Sequence, residues 1–237
     1  MQNLAQFTAR PHGLLSTDHR PPTAASVTRP REDLVICAGR FDRTKGQDVL
    51  IEALALCGER LGPTEIEFLG TGPLLDSVRA RAAQHELLGP CRFRGEVPHV
   101  EVLARMSRAR FTVVPSRSEA FGLVNIESMA VATPVLASAV DGIPEIVRDG
   151  VDGFLVPPDD PAALASRLVT LLRDPALCQE LGAHARERFL SFYEQSKVVA
   201  AQADWLERIT TPAAGWWPPH LHPPLPPTCR KPRNDLA

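Results

Sequence analysis

The chain has 237 residues, 44% of them hydrophobic, with 26 Lys and Arg against 28 Asp and Glu and a formal charge of −2. That length buries one substantial core, and the mixed signs give no basic stripe to draw in a phosphate backbone, so nucleic acid is excluded as an expected partner. No apolar run approaches the roughly 20 residues of a spanning helix, and the polar start MQNLAQFTAR lacks a signal-peptide centre, so the chain reads as soluble and cytoplasmic. Its cysteines (Cys37, Cys57, Cys91, Cys178, Cys229) are nowhere spaced as CxxC, which argues against a disulfide framework or a zinc site and for small core hydrophobes.

Residues 1–31 lack apolar periodicity and are read as a linker or remnant; His12 and His19 fall there. From there, short β-rich runs alternate with longer helical ones. The predicted strands are LVICAG (34–39), EIEFLG (65–70), CRFRG (91–95), FTVVPS (111–116), PVLASAV (134–140) and GFLVP (153–157). Between them, QDVLIEALALCGE, PLLDSVRARAAQHE and HVEVLARMSRA repeat apolar residues at three and four positions, the helical period. Such alternation, with strands that show little period-two patterning, predicts a Rossmann-like parallel sheet covered by helices on both faces. Asp160-Pro161 and Asp174-Pro175 each offer an N-cap followed by proline at the first helical position, opening two further helices. A last helix runs over about YEQSKVVAAQADWLERI. Beyond Thr211 the Pro-rich tail, with Trp216, Trp217, His220 and His222, is expected to be disordered, and its HxH to be accidental.

In such a sheet the ligand lies at the carboxyl ends of the strands. The first loop there, AGRFDRTKG, places Arg40 and Lys45 where two cations suit an anion; the alternative is a pair of solvated charges. The second, LGTGP, carries Gly70 and Gly72 but has Leu75 where a dinucleotide fingerprint needs its third glycine, which disfavours an NAD-dependent oxidoreductase. The third, FRGEVP, offers backbone groups around Glu96 and Val97. The fourth is SEAFGLVNIESMA. Arg117 to Phe121 read as loop, and Gly122 as the first residue of a helix whose start, with the amides of Gly122 and Leu123, would receive an anion. Were the whole stretch helical, Glu119 and Glu127 would stand about 12 Å apart along the axis and about 80° around it. They could not act on one atom, but could grip two ends of an elongated ligand with a negative middle, the shape of a nucleotide sugar. Glu127 sits among Val124, Ile126, Met129, Ala130 and Val131, so it is expected to be largely buried; ribose hydroxyls would satisfy it, and an internal ion pair or a solvent-facing turn of the helix is the alternative.

These residues resemble the carboxyl-terminal half of family 4, or group 1, glycosyltransferases of the GT-B fold, over about Leu34 to Ile209. AGRFDRTKG is similar to the family's GR…KG segment, GTGP to its glycine loop, FRGEV to its base-contacting loop, and SEAFGLVNIE to its E-x7-E signature; TPVLASAVDGIPEIVRDGVDGFLVPPDD resembles its next long segment. The resemblance implies a domain for a nucleotide diphosphate sugar, with no other cofactor and no metal, acting in a retaining transfer. It implies Arg40 and Lys45 on the diphosphate, Glu127 on the ribose, Glu119 on hydroxyls of the transferred sugar, amides of Gly122 and Leu123 near sugar and phosphates, and Val97 on the base, with Gly72 and Phe121 also against the substrate. A complementary acceptor-binding domain or chain is the implied partner, and any membrane contact would be peripheral and through it. A non-catalytic nucleotide-sugar-binding module is the second reading.

Two departures bear on the site. Ala132 stands where the family commonly has glycine, and Asp141 replaces the first of two glycines before IPE. Both are expected to be tolerated if the backbone avoids positive φ, and Asp141 to weaken diphosphate binding unless it faces away. The final helix is expected to leave Val198, Val199 and Trp205 without cover.

Overall fold

A computed structural model describes residues 31–210. Residues 1–30 of the expected linker, the Pro-rich tail and Cys229 lie outside the described residues, whereas Arg31, the linker's last expected residue, is tied into the domain by donating to the Ala109 carbonyl at 2.9 Å and to Thr133 Oγ1 at 2.7 Å.

All six predicted strands form: β1 (Leu34–Ala38), β2 (Glu65–Leu69), β3 (Cys91–Gly95), β4 (Phe111–Val114), β5 (Val135–Ser138) and β6 (Gly153–Val156). They make one sheet of order β3-β2-β1-β4-β5-β6, every pair parallel, with Leu34 opposite Glu65 and Val35 opposite Phe111. The strand order turns round between β1 and β4, so the crevice outside their carboxyl ends is the topological switch point.

Seven helices cover this sheet: α1 (Gln47–Cys57), α2 (Leu75–Gln84), α3 (His99–Arg108), α4 (Leu123–Ala130), α5 (Ile143–Ile146), α6 (Pro161–Arg173) and α7 (Pro175–Arg188). Strand side chains alternate between two faces because successive Cβ atoms point to opposite sides. Val35, Cys37, Ile66, Phe68, Val113 and Leu136 join Leu50, Leu54, Leu168 and Leu171 of α1 and α6 in one core. Ile36 and Leu69 face Met106 of α3, and Val114, Val135 and Ala137 face Met129 of α4. Burial on both faces explains why the strands read as continuous apolar runs.

Asp160 accepts from the amide of Ala163 at 2.8 Å and Asp174 from that of Leu177 at 2.9 Å, so both proposed caps form. Short α5 and a π-turn over Phe189–Tyr193 carry no separate signal in the sequence. A second compact unit begins at Glu194 and contains α8 (Gln195–Thr210), on which Val199 and Trp205 are exposed. Cys37, Cys57, Cys91 and Cys178 are buried thiols, and desolvation pushes Cys37 up to about 12.

The expectation for Ala132 and Asp141 is corrected: their φ angles are 60° and 45°, both in the left-handed region. At Ala132 the reason is the end of α4. The Thr133 amide reaches the Ser128 carbonyl at 2.9 Å and the Ala132 amide that of Met129 at 3.0 Å, the paired bonds of a Schellman motif, which place a left-handed residue at the position after the cap. Alanine there costs roughly 1–2 kcal/mol of backbone strain that glycine would avoid.

Candidate functional site at the switch point

The loop after β1 and the loop after β4 meet at the sheet's turning point, and they are welded together. Gly46, the N-cap of α1, has φ 65°, and a Cβ on it would lie 2.0 Å from the Pro115 carbonyl oxygen. The Thr44 carbonyl accepts from the amides of Arg117 and Ser118 at 2.7 and 3.3 Å. Arg117 then reaches back to both oxygens of Asp48 at 2.8 Å, to the Arg43 carbonyl at 3.0 Å and to Asp159 at 2.5 Å. Those bonds hold the Asp48 carboxyl below its ordinary range. Arg117 is a frame residue that sequence reasoning missed; an arginine next to a strand end has no signature of its own.

Across this weld Lys45 Nζ meets Glu119 Oε2 at 2.5 Å, with side-chain exposures of 26% and 12%. Ser116 Oγ donates to the same oxygen at 3.2 Å, leaving Oε1 for another donor. Two predicted residues 74 positions apart are thus one pair. Arg40 is elsewhere on the first loop, mostly exposed, 3.8 Å from Asp42, and lines a cleft of about 440 Å³ with Gly70, Thr71, Gly72 and Glu96. Gly72 is required there by close approach, since a Cβ would come within 2.4 Å of the Phe41 carbonyl oxygen. A larger cavity, about 620 Å³, lies at the opposite ends of β2 and β3, lined among others by Thr64, Glu65 and Arg92. It sits away from the switch point, where a parallel sheet offers its loops and helix starts to a ligand.

Helix α4 starts one residue later than expected. Gly122 is its left-handed N-cap, φ 74°, and no side chain caps it. Glu119 is therefore in the loop, and the separation calculated for a continuous helix does not apply. Phe121 and Leu123 flank the cap, both exposed. Asn125, at the third helical position, is fully buried with neither side-chain atom hydrogen-bonded, and Gln47 Oε1 of α1 is likewise unpartnered, although Gln47 Nε2 donates to the Arg40 carbonyl at 2.9 Å.

Glu127 is also corrected. It is half-buried rather than buried, and its carboxylate has a side-chain partner: His99 Nε2 lies within hydrogen-bond distance of Glu127 Oε1, at 2.9 Å. His99 opens α3 directly after Pro98, and packing of α3 on the sheet brings it to α4. Val97, two residues earlier, packs its side chain with Leu34, Ile36 and Met106.

Asp141, on the loop after β5, takes its partners from the Ser118–Glu119 segment, while Lys45 pairs with Glu119. Its Oδ2 accepts from the Glu119 amide at 2.7 Å and from Ser118 Oγ at 2.9 Å, and these bonds, the amide first, hold its carboxyl below the usual range. The Lys45–Glu119 pair therefore stands beside the uncapped start of α4, with Glu127 further along that helix and Arg40 on the neighbouring cleft.

A family model described as glycosyl transferases group 1 matches residues 23–188. The chain belongs to the group 1 glycosyltransferases. This glycosyltransferase chain is 34% identical over 200 residues to a glycogen synthase from Mycobacterium tuberculosis, covering 84% of itself and 48% of that protein. It is 37% identical to a D-inositol 3-phosphate glycosyltransferase from Streptomyces bingchenggensis, covering 79% and 43%. Among solved structures, sucrose-phosphate synthase from Thermosynechococcus elongatus superposes with a TM-score of 0.67 at 34% identity, covering 78% of this chain and 47% of that one. An Anabaena protein solved with UDP and glucose superposes at 0.68 and 21% identity, covering 79% and 53%, a likeness of fold. The fold is one Rossmann-like half of the GT-B architecture, and the chain spans about half the length of the curated relatives it matches.

Proposed function

We propose that the chain supplies the donor side of a retaining, metal-independent glycosyltransferase that takes a hexosyl group from a nucleotide diphosphate sugar. The observation that carries the reading is the Lys45–Glu119 pair at the switch point, beside the uncapped start of α4. Lys45 and Arg40 receive the diphosphate, with the amides of Gly122 and Leu123 completing an anion site. Glu119, through Oε1, accepts from hydroxyls of the transferred sugar, and Glu127 from those of the ribose once His99 shares or yields its carboxylate. The base rests on backbone groups at Val97, and Gly72 and Phe121 border the substrate. Cations and a helix terminus fixed where leaving-group charge develops take the place of a divalent ion. The acceptor is bound by a complementary domain or chain.

A thermal-shift and calorimetric screen with UDP-, GDP- and ADP-sugars tests the donor. One class is expected to stabilise the protein by about 2.7 kcal/mol at a hundredfold excess over Kd, and Lys45→Ala to weaken that ligand by about tenfold or more. A flat response to all three classes would overturn the reading. Slow donor hydrolysis that is lost in Glu119→Gln separates an enzyme from a non-catalytic binding module, which would bind donor without turnover.

A further inference from the structure

We infer that Asp141 is a positioning residue: its carboxylate clamps the Ser118–Glu119 segment so that Glu119 is held ready for the transferred sugar. The inference rests on the donor reading above and adds to it a residue on a different loop that touches no reacting atom.

Three observations carry it. The Ser118–Glu119 segment is gripped on opposite sides by two other loops: the Thr44 carbonyl takes the amides of Arg117 and Ser118, while Asp141 takes the next amide, that of Glu119, together with Ser118 Oγ. With both amide bonds made, the backbone at Glu119 has little freedom left, and its side chain leaves toward Lys45 and Ser116. Next, Asp141 adopts a φ of 45°, a conformation that disfavours a non-glycine residue and persists where surroundings enforce it. Glycine would take this backbone without strain, yet would leave the Glu119 amide without its acceptor. Finally, both donors to Asp141 are neutral, so the acid holds the loop without drawing Lys45 away from the place assigned to phosphate. Its ionised form, favoured by these same two bonds, is the form that accepts both.

Asp141→Gly and Asp141→Asn in the full chain test this, read by amide hydrogen exchange, chemical denaturation and titration with whichever nucleotide sugar the wild type binds. In Asp141→Gly, exchange at the Glu119 amide is expected to quicken by about tenfold, as for loss of a charge-assisted hydrogen bond. Global stability should stay level or rise, because the backbone strain is relieved. Donor affinity should drop by about tenfold, and Asp141→Asn, which keeps an acceptor oxygen, should recover most of both. Unchanged exchange in Asp141→Gly would overturn the clamp, and faster exchange with unchanged donor affinity would overturn its positioning role. Faster exchange in a protein that binds no nucleotide sugar would leave the clamp standing and refute the donor reading instead.

Discussion

Two pairs of helices in this domain begin in different ways. At α6 and α7 an aspartate caps the first turn and proline follows, so each helix satisfies its own free amides and needs nothing from outside. At α1 and α4, which flank the switch point, a left-handed glycine stands at the cap and makes no side-chain cap bond, although first-turn amides of α1 act on the Asp48 carboxylate. Helices α2, α3 and α5 also start without a side-chain cap, so what sets α1 and α4 apart is the left-handed glycine at the cap. Nearby buried polar atoms tell the same story, since Gln47 Oε1 and both side-chain atoms of Asn125 lie in the first turns of these two helices without partners.

Three substitutions would break or sharpen that contrast. The largest effect is expected at the weld between the open helix starts: Gly46→Ala forces a left-handed alanine and drives its Cβ into the Pro115 carbonyl, and should lower stability by about 4 kcal/mol or more. Urea denaturation would measure it, and a loss under about 1 kcal/mol would show that the loops slide apart easily.

Asp48→Asn comes next. Its bidentate bond to Arg117 ties the first turn of α1 to the loop that carries Glu119, and its removal should cost about 2 kcal/mol in a partly buried setting. The folded carboxyl has a depressed pKa, so this contribution is fully present above the ordinary carboxylate value of about 4 and lost as pH falls through the lower folded value. Wild type and variant should therefore differ by a constant amount at neutral pH and converge in acid, and parallel stability curves down to pH 2 would refute the assignment.

The smallest effect is at a closed helix: Asp160→Ala removes one cap bond and should cost about 1 kcal/mol. The Asp160 carboxylate is spent on the Ala163 amide, while its neighbour Asp159 holds Arg117 of the frame, so nucleotide-sugar affinity should not move, and a weakened donor in this variant would show that the cap acts on the site through the Asp159–Arg117 bond.

Much of this was legible along the chain. The six strands, the Asp-Pro caps and the candidate residues Arg40, Lys45, Glu119 and Glu127 all sit on the loops or helices where pattern and resemblance placed them. What failed did so for identifiable reasons. Positive φ at Ala132 and Asp141 could not be read because it follows from how α4 ends and from where the loop after β5 must travel. Glu127 looked buried because its sequence neighbours are apolar, yet α4 presents Asn125, Ser128 and Met129 inward and leaves Glu127 where His99 can reach it. Arg117 and His99 carried no motif at all.

Local periodicity, turn chemistry and caps are short-range properties, so the sequence by itself determined the alternation of strands and helices and the set of loops that could bear a ligand. Which of those loops touch depends on strand order and register, settled by burial of whole faces and not by neighbours in the chain. Only the tertiary structure could decide that Lys45 meets Glu119, that His99 answers Glu127, and that Asp141 holds the Glu119 backbone, because each of these contacts joins residues more than 20 positions apart.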